Sequence, residues 1–252
     1  MSGIPIALTC GFISSGPERI YYETAGQGET IVLCHGLGGN HAVWFQQVPI
    51  LARSHRVVVW DQRGFGRSTN RSGDVSPAAA VSDLKALMDH LDIQQAHLTG
   101  QSMGGWTIVG FALAYPERVR SLVIADSLGG IYTPEIEQGF DAFLRVAANA
   151  PATEQLLLGQ HPAIGKALTQ HDIVRAYLYQ QIGSFGEPPP TGKVFSLLRA
   201  TSYPHAALQA LRLPVLFIVG SNDPLIPPAW VRQAATIVPS ARVVEIPGTG
   251  HS

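Results

Sequence analysis

Six short runs of β-branched and apolar residues recur along the chain, separated by segments of helical period. They are TIVLC (30–34), RVVVW (56–60), AHLTG (96–100), SLVIAD (121–126), PVLFIVG (214–220) and RVVEI (242–246). A strand with one wet face alternates apolar and polar residues. Most of these runs are apolar throughout, as strands buried on both faces should be. Strands of that kind joined by helices imply an α/β fold, a mostly parallel, doubly wound sheet covered on both faces. PIALTCGF (5–12) and RIYYETAG (19–26) alternate more, so an antiparallel edge pair is expected there.

The helix signals are chemical as well as periodic. Ser76-Pro77 supplies an N-cap with proline at the first helical position, and Val81, Leu84, Met88 and Leu91 then fall on one face. A second helix should run from Met103 to Tyr115 and stop at Pro116, and a third from Pro227-Pro228 through Val238. Residues 128–205 offer helical periodicity but no strand. One helix there starts at Thr133-Pro134 with Ile136, Phe140, Phe143 and Ala147 on one side. Another holds Ile173, Tyr177 and Gln181 in register. GEPPPTG (186–192) is a breaker that cannot be helix. The expected organisation is a discontinuous core, 1–127 and 206–252, with a helical cap, 128–205, inserted between two core strands.

Composition closes off several function classes. Lys plus Arg number 17 against 18 Asp plus Glu, and no basic block or basic-aromatic alternation occurs, which argues against a nucleic-acid partner. Apolar runs such as WTIVGFALA (106–114) are too short to cross a bilayer. The first residues lack the positive region of a signal peptide, so a cytoplasmic location is expected. Cys10 and Cys34 form no CxxC pair and read as buried free thiols in preference to a disulfide or a metal site. GQHPAIGK (159–166) imitates a phosphate loop, but five residues separate its glycines and Ala167 stands where magnesium needs Ser or Thr. His161, His171 and His205 lack metal-ligand spacing and read as surface or packing residues.

The informative stretch is AHLTGQSMGGWTIVG (96–110). A strand runs into Gly100-Gln101-Ser102-Met103-Gly104 and a helix follows at once. So tight a turn strains the backbone of its central residue, and small residues two positions either side make room for it. The Ser102 hydroxyl then projects above the strand end as a nucleophile. Attack on a carbonyl creates an oxyanion that needs two preorganised N–H donors. The Met103 amide is one, and the glycine-rich loop of Cys34-His35-Gly36-Leu37-Gly38-Gly39 offers Leu37 as the other. His35 reads as a brace for that loop, not as a base. Serine needs a base, and the base needs an acid to orient it. IVGSNDPLIPP (218–228) puts Asp223 after one strand, and IPGTGHS (246–252) puts His251 after the next. Ser102, Asp223 and His251 therefore reach one edge of the sheet. Asp126 also ends a strand and competes with Asp223 as the acid. Trp106 either lines the pocket or packs its helix on the sheet.

HGLGG (35–39), Trp44, DQRGFGRS (61–68), GQSMGG (100–105), GSNDPLIP (220–227) and GTGH (248–251) together resemble the α/β-hydrolase fold superfamily across the whole length. In such proteins DQRGFGRS is a landmark, and Asp61 and Arg63 are expected to tie loops together. The resemblance implies a serine hydrolase with a helical cap, of the carboxylesterase, enol-lactonase and C–C hydrolase branch, acting without cofactor or metal. Serine in the elbow disfavours haloalkane dehalogenases and epoxide hydrolases, which carry Asp there. Ser252 stands where C–C hydrolases of ring-fission products usually carry tryptophan. The expected substrate is a small or medium apolar ester, thioester or lactone. C–C bond hydrolysis and a ligand receptor on the same fold are the alternatives. The resemblance also implies a final helix after the histidine loop, so the sequence ending at Ser252 is expected to be a fragment, or to take that helix from a partner chain.

Overall fold

The computed structural model describes residues 7–149 and 172–252. Its strands are β1 (Leu8–Ser15), β2 (Glu18–Ala25), β3 (Thr30–Cys34), β4 (Arg56–Trp60), β5 (Ala96–Gln101), β6 (Val119–Ala125), β7 (Val215–Gly220) and β8 (Ala241–Ile246). They form one sheet in the order β1-β2-β4-β3-β5-β6-β7-β8. β1 and β2 are the antiparallel pair the alternating runs foretell, and β2 meets β4 antiparallel. From β4 to β8 every neighbour is parallel, with Val32 opposite both Val58 and Leu98 and Ile124 opposite both Gly100 and Phe217. Their carboxyl ends therefore line one edge, where Gly36, Ser102, Asp126, Asp223 and His251 all follow.

Described helices are α1 (Val48–Leu51), α2 (Pro77–His90), α3 (Met103–Ala114), α4 (Pro134–Asn149), α5 (Ile173–Gly183), α6 (Thr191–Ala200), α7 (His205–Ala210) and α8 (Pro228–Ala235). Ser76 caps α2, its Oγ accepting the Ala79 amide at 3.2 Å. The α3 helix is apolar on all sides because it is enclosed on all sides. It packs on α2 and on the sheet, and a Cβ added at Gly110 would sit 2.3 Å from the Tyr203 hydroxyl. Helices α4 to α7 come between β6 and β7. Ile136 and Phe140 are buried on the face their spacing predicts, while Phe143 is half-buried. The Ala147 side chain, GQHPAIGK, His161 and His171 lie outside the described residues.

Several expectations need correction. The breaker at 186–192 ends two residues early. Pro190 (φ −53°, ψ 125°) caps α6, which starts at Thr191, because proline restricts the residues before and at its own position but not the next one. Helix α8 ends at Ala235, three residues short of Val238. The run RVVEI carries Arg242 and Glu245 and is not apolar throughout. As β8 it pairs with β7 alone among the described residues, leaving Val243, Val244 and Ile246 exposed. Cys34 is a buried free thiol as expected, whereas Cys10 is free but exposed on the edge strand β1. No described helix is long and apolar enough to cross a membrane.

Candidate active site

Strand β5 ends at Gln101, and the next residue turns sharply. Ser102 has φ 49° and ψ −118°, and α3 begins at Met103. A positive φ at a residue with a Cβ costs about 1–3 kcal/mol and persists only where neighbours enforce it. Here they do. The Ser102 amide donates to the Ala125 carbonyl at 2.9 Å, and its own carbonyl accepts the Gly105 amide (2.9 Å) and the Ser127 hydroxyl (2.7 Å). The glycines of the motif are required by space. A Cβ on Gly100 would lie 2.4 Å from the Gly104 carbonyl oxygen, and one on Gly104 would lie 2.2 Å from that of Cys34. Met103, at the first position of α3, has an amide left free by helix geometry.

Two loops along the same edge bring in an acid and a base. Asp223 follows β7, and its Oδ1 accepts the amides of Leu225 (2.8 Å) and Ile226 (2.9 Å). His251 follows β8 and is 3% exposed, and Asp223 is 4% exposed. The imidazole Nδ1 lies 2.7 Å from Asp223 Oδ2. That contact orients the ring and commits one of its nitrogens. The chain therefore brings the predicted acid and base together at the end of the sheet where Ser102 stands.

The glycine-rich loop after β3 crosses the elbow. A Cβ on Gly36 would come within 3.0 Å of the Ser102 Cβ and 2.1 Å of Gln101 Oε1. His35 braces this loop. The Gln62 amide donates to its Nε2 (3.0 Å), so the ring proton is on Nδ1 and is donated to the Gly36 carbonyl (2.7 Å). Full burial lowers its pKa, and the ring stays neutral. Asp61 ties loops as expected, whereas Arg63 ties its loop to α2. Asp61 accepts the His41 and Arg67 amides, and Arg63 makes a bidentate pair with buried Asp83, both contacts at 2.6 Å.

A cavity of about 220 Å³ opens beside the elbow. Gly36, Gln101, Trp44, Tyr179, Arg175 and Ser252 are among its walls. The lining is only partly apolar, since α5 turns Arg175 and Tyr179 toward it and Gln46, Gln47 and Gln101 add amides. Trp106 packs its helix, but against the segment after β6 and not only the sheet. Its Nε1 reaches the carbonyls of Leu198 (3.0 Å) and Thr201 (3.2 Å). His205 is a packing residue, its Nε2 2.7 Å from the Tyr132 carbonyl oxygen.

A family model described as the alpha/beta hydrolase fold matches residues 29–252. The chain belongs to this family. RutD of Azorhizobium caulinodans, provisionally named a carbamate hydrolase, is 27% identical over 96% of this chain and 91% of its own. A 2-hydroxy-6-oxononadienedioate/2-hydroxy-6-oxononatrienedioate hydrolase of Paraburkholderia xenovorans is 38% identical, over 49% of this chain and 46% of its own. The solved structure of a thermophilic esterase from Thermogutta terrifontis, with malate bound, superposes with a TM-score of 0.80 at 25% identity, over 96% of this chain and 91% of that one. This α/β-hydrolase chain is thus a hydrolase by its relatives, and the bonds they are named for differ.

Sequence reasoning missed two parts of the site. The Gln101 side chain donates to the His251 carbonyl at 3.0 Å, so the residue before the serine braces the histidine loop. The Tyr179 hydroxyl lies 3.0 Å from Ser252 Oγ, which brings α5 onto the same loop. Gln101 was in plain view inside the motif, but only register reveals its partner. Nothing in the periodicity of α5 singles out Tyr179.

Proposed function

We propose that the chain is a serine hydrolase cleaving small or medium carboxylic esters, thioesters or lactones through an acyl-enzyme on Ser102. The observation that carries this is the buried 2.7 Å contact between His251 Nδ1 and Asp223 Oδ2, at the sheet edge that holds the strained serine. His251 Nε2 takes the Ser102 proton as Oγ attacks the carbonyl carbon. The Met103 and Leu37 amides hold the resulting oxyanion, Met103 with the added field of the α3 N-terminus. Collapse expels the alcohol, thiol or lactone hydroxyl, which takes the proton back from His251. Water then adds to the acyl-enzyme by the same route and releases the acid. No step calls for a metal or cofactor. Residues 128–205 act as a cap over the core formed by 1–127 and 206–252, excluding bulk water from the acyl group.

A second reading, C–C bond hydrolysis of a vinylogous diketone, is favoured by the 38% identity to the P. xenovorans enzyme over about half the chain. A carbamate presents the same carbonyl to the same machinery. The test is turnover of p-nitrophenyl esters of increasing acyl length, beside an aryl carbamate and a ring-fission diketone, by the wild type and by Ser102→Ala. The reading predicts ester turnover well above the other two classes, lost in the variant. Diketone cleavage outrunning every ester moves the assignment to the second reading. Tight binding of these compounds without turnover makes the chain a receptor.

A further inference from the structure

Helix α5 touches both of the loops that flank the elbow. At its carboxyl end the Ile182 carbonyl accepts an N–H of Asn40 Nδ2 at 2.7 Å, a buried bond between residues 142 positions apart. One turn earlier the Tyr179 hydroxyl lies 3.0 Å from Ser252 Oγ. Asn40 directly follows the glycine-rich turn, which the Gly39 amide closes onto the Gly36 carbonyl at 3.1 Å with Leu37 and Gly38 between them. Ser252 directly follows His251. One helix therefore holds the chain beside the candidate oxyanion donor and beside the candidate base.

The chemistry of each tie is specific. Asn40 is 2% exposed and its amide is used at both ends. Its Oδ1 accepts the Ala42 amide at 2.9 Å, starting the helical turn His41–Trp44, while Nδ2 reaches α5. A side-chain amide carries an acceptor and a donor pointing apart, which these two partners require. Ile182 offers one of the last-turn carbonyls that the helix ladder leaves over. The backbones meet as well, since a Cβ added to Gly183 would lie 2.9 Å from the Gly38 carbonyl oxygen. From the core side, Gln101 Nε2 donates to the His251 carbonyl at 3.0 Å and lies 3.4 Å from Ser252 Oγ. Its Oε1 would sit 2.1 Å from a Cβ on Gly36. These contacts close a ring that runs from the elbow to the histidine loop, α5, the glycine-rich turn and back. Gln101, Ser252, Tyr179 and Gly36 face the cavity inside it.

Resting on the reading of Ser102, Asp223 and His251 as a triad, we propose that Asn40 and Tyr179 are positioning residues, through which α5 fixes the glycine-rich turn and the histidine loop relative to each other. Neither gives a proton or a hydrogen bond to the reacting carbonyl. Ser102 has its place from the β5–α3 turn alone. Leu37 and His251 follow β3 and β8, which are separated in the sheet by β5, β6 and β7. The sheet therefore sets where each loop is rooted, and α5 sets the spacing of their tips. That spacing matters, because a misplacement of about 1 Å costs about 100-fold in rate.

Two variants cut the ties one at a time. Asn40→Ser keeps a capping oxygen for the Ala42 amide but is too short to reach Ile182. Tyr179→Phe removes a single hydroxyl. Rates on a short p-nitrophenyl ester, divided by the sites titrated with a fluorophosphonate, take any loss of folded protein out of the comparison. Per site, kcat should fall about 10- to 100-fold in Asn40→Ser and about 3- to 30-fold in Tyr179→Phe, with KM within about 3-fold of wild type. Amide hydrogen exchange distinguishes a strut from two local bonds. In Asn40→Ser the amides of α5 and of 248–252 should exchange about 10-fold faster, although the cut lies at the far end, and Tyr179→Phe should do the same to 36–39. Faster exchange only beside the substituted residue, or kcat per site within about 2-fold of wild type in either variant, would overturn the proposal. If Asn40→Ser does not fold, Tyr179→Phe decides alone. A wild type in which no fluorophosphonate reaches Ser102 refutes the triad reading itself, and the exchange data then decide whether α5 ties the two loops.

Discussion

Because Nδ1 of His251 is committed to Asp223, Nε2 is the ring nitrogen left to accept a proton. In the proposed mechanism Asp223 therefore selects the useful tautomer. Asp223→Asn can still hydrogen-bond the ring, but its N–H side favours the wrong tautomer. It should lower kcat by about 10⁴-fold, the loss an amide causes at this position in a serine protease triad. Steady-state rates for an ester checks this. A loss of only a few-fold would remove Asp223 from the acid's role. The positions of Ser102, Asp223 and His251 after strand ends were legible from the sequence. The bond from the Gly220 amide to the Asp126 carboxyl was not, because it depends on how the β6 and β7 ends lie side by side, and a carboxylate after each strand read only as two competing choices.

At the scale of the element, the β5–α3 turn works because its glycines leave space for three crossing backbones. Gly104→Ala would press a methyl onto the Cys34 carbonyl, 2.2 Å away, where rigid backbone cannot yield cheaply. Soluble yield and the urea midpoint should both drop sharply, whereas a variant as stable as wild type would show that the turn has slack. The α2 cap gives a milder test. Ser76→Ala should cost about 1 kcal/mol in denaturant unfolding, with activity intact. Such signals were readable because they are local, as Ser76-Pro77 and Gly-x-Ser-x-Gly show. The start of α6 at Thr191 was missed because a proline run looks like a break along its whole length, although its restriction ends with Pro190. The edge position of β8 was not legible for a different reason. Its valines look like any core strand's, and only the strand order makes it an edge.

The whole molecule depends on long-range ties between segments far apart in sequence. Buried Glu18 accepts the Thr69 hydroxyl and the Arg71 amide on Oε2 and the Ser72 amide on Oε1, joining the β1–β2 hairpin to the loop after β4. Burial raises this carboxyl's pKa, but those donors outweigh it and bring the value from 4.5 to about 2. A folded pKa below the unfolded one means that the stabilisation is present above about 4.5 and is lost as pH falls toward 2. Glu18→Gln should thus lower Tm at neutral pH, with a deficit that shrinks over that window. A deficit constant from pH 7 to 2.5 would show that charge plays no part. The largest tie underlies the proposed function, since strands β5, β7 and β8 carry Ser102, Asp223 and His251, the proposed nucleophile, acid and base, to one edge. Intact-mass spectrometry after treatment with a fluorophosphonate tests that assembly most directly. One adduct should form, map to the peptide containing Ser102, disappear in Ser102→Ala and slow by orders of magnitude in His251→Ala. An adduct that persists in Ser102→Ala, or forms as fast without His251, would contradict it.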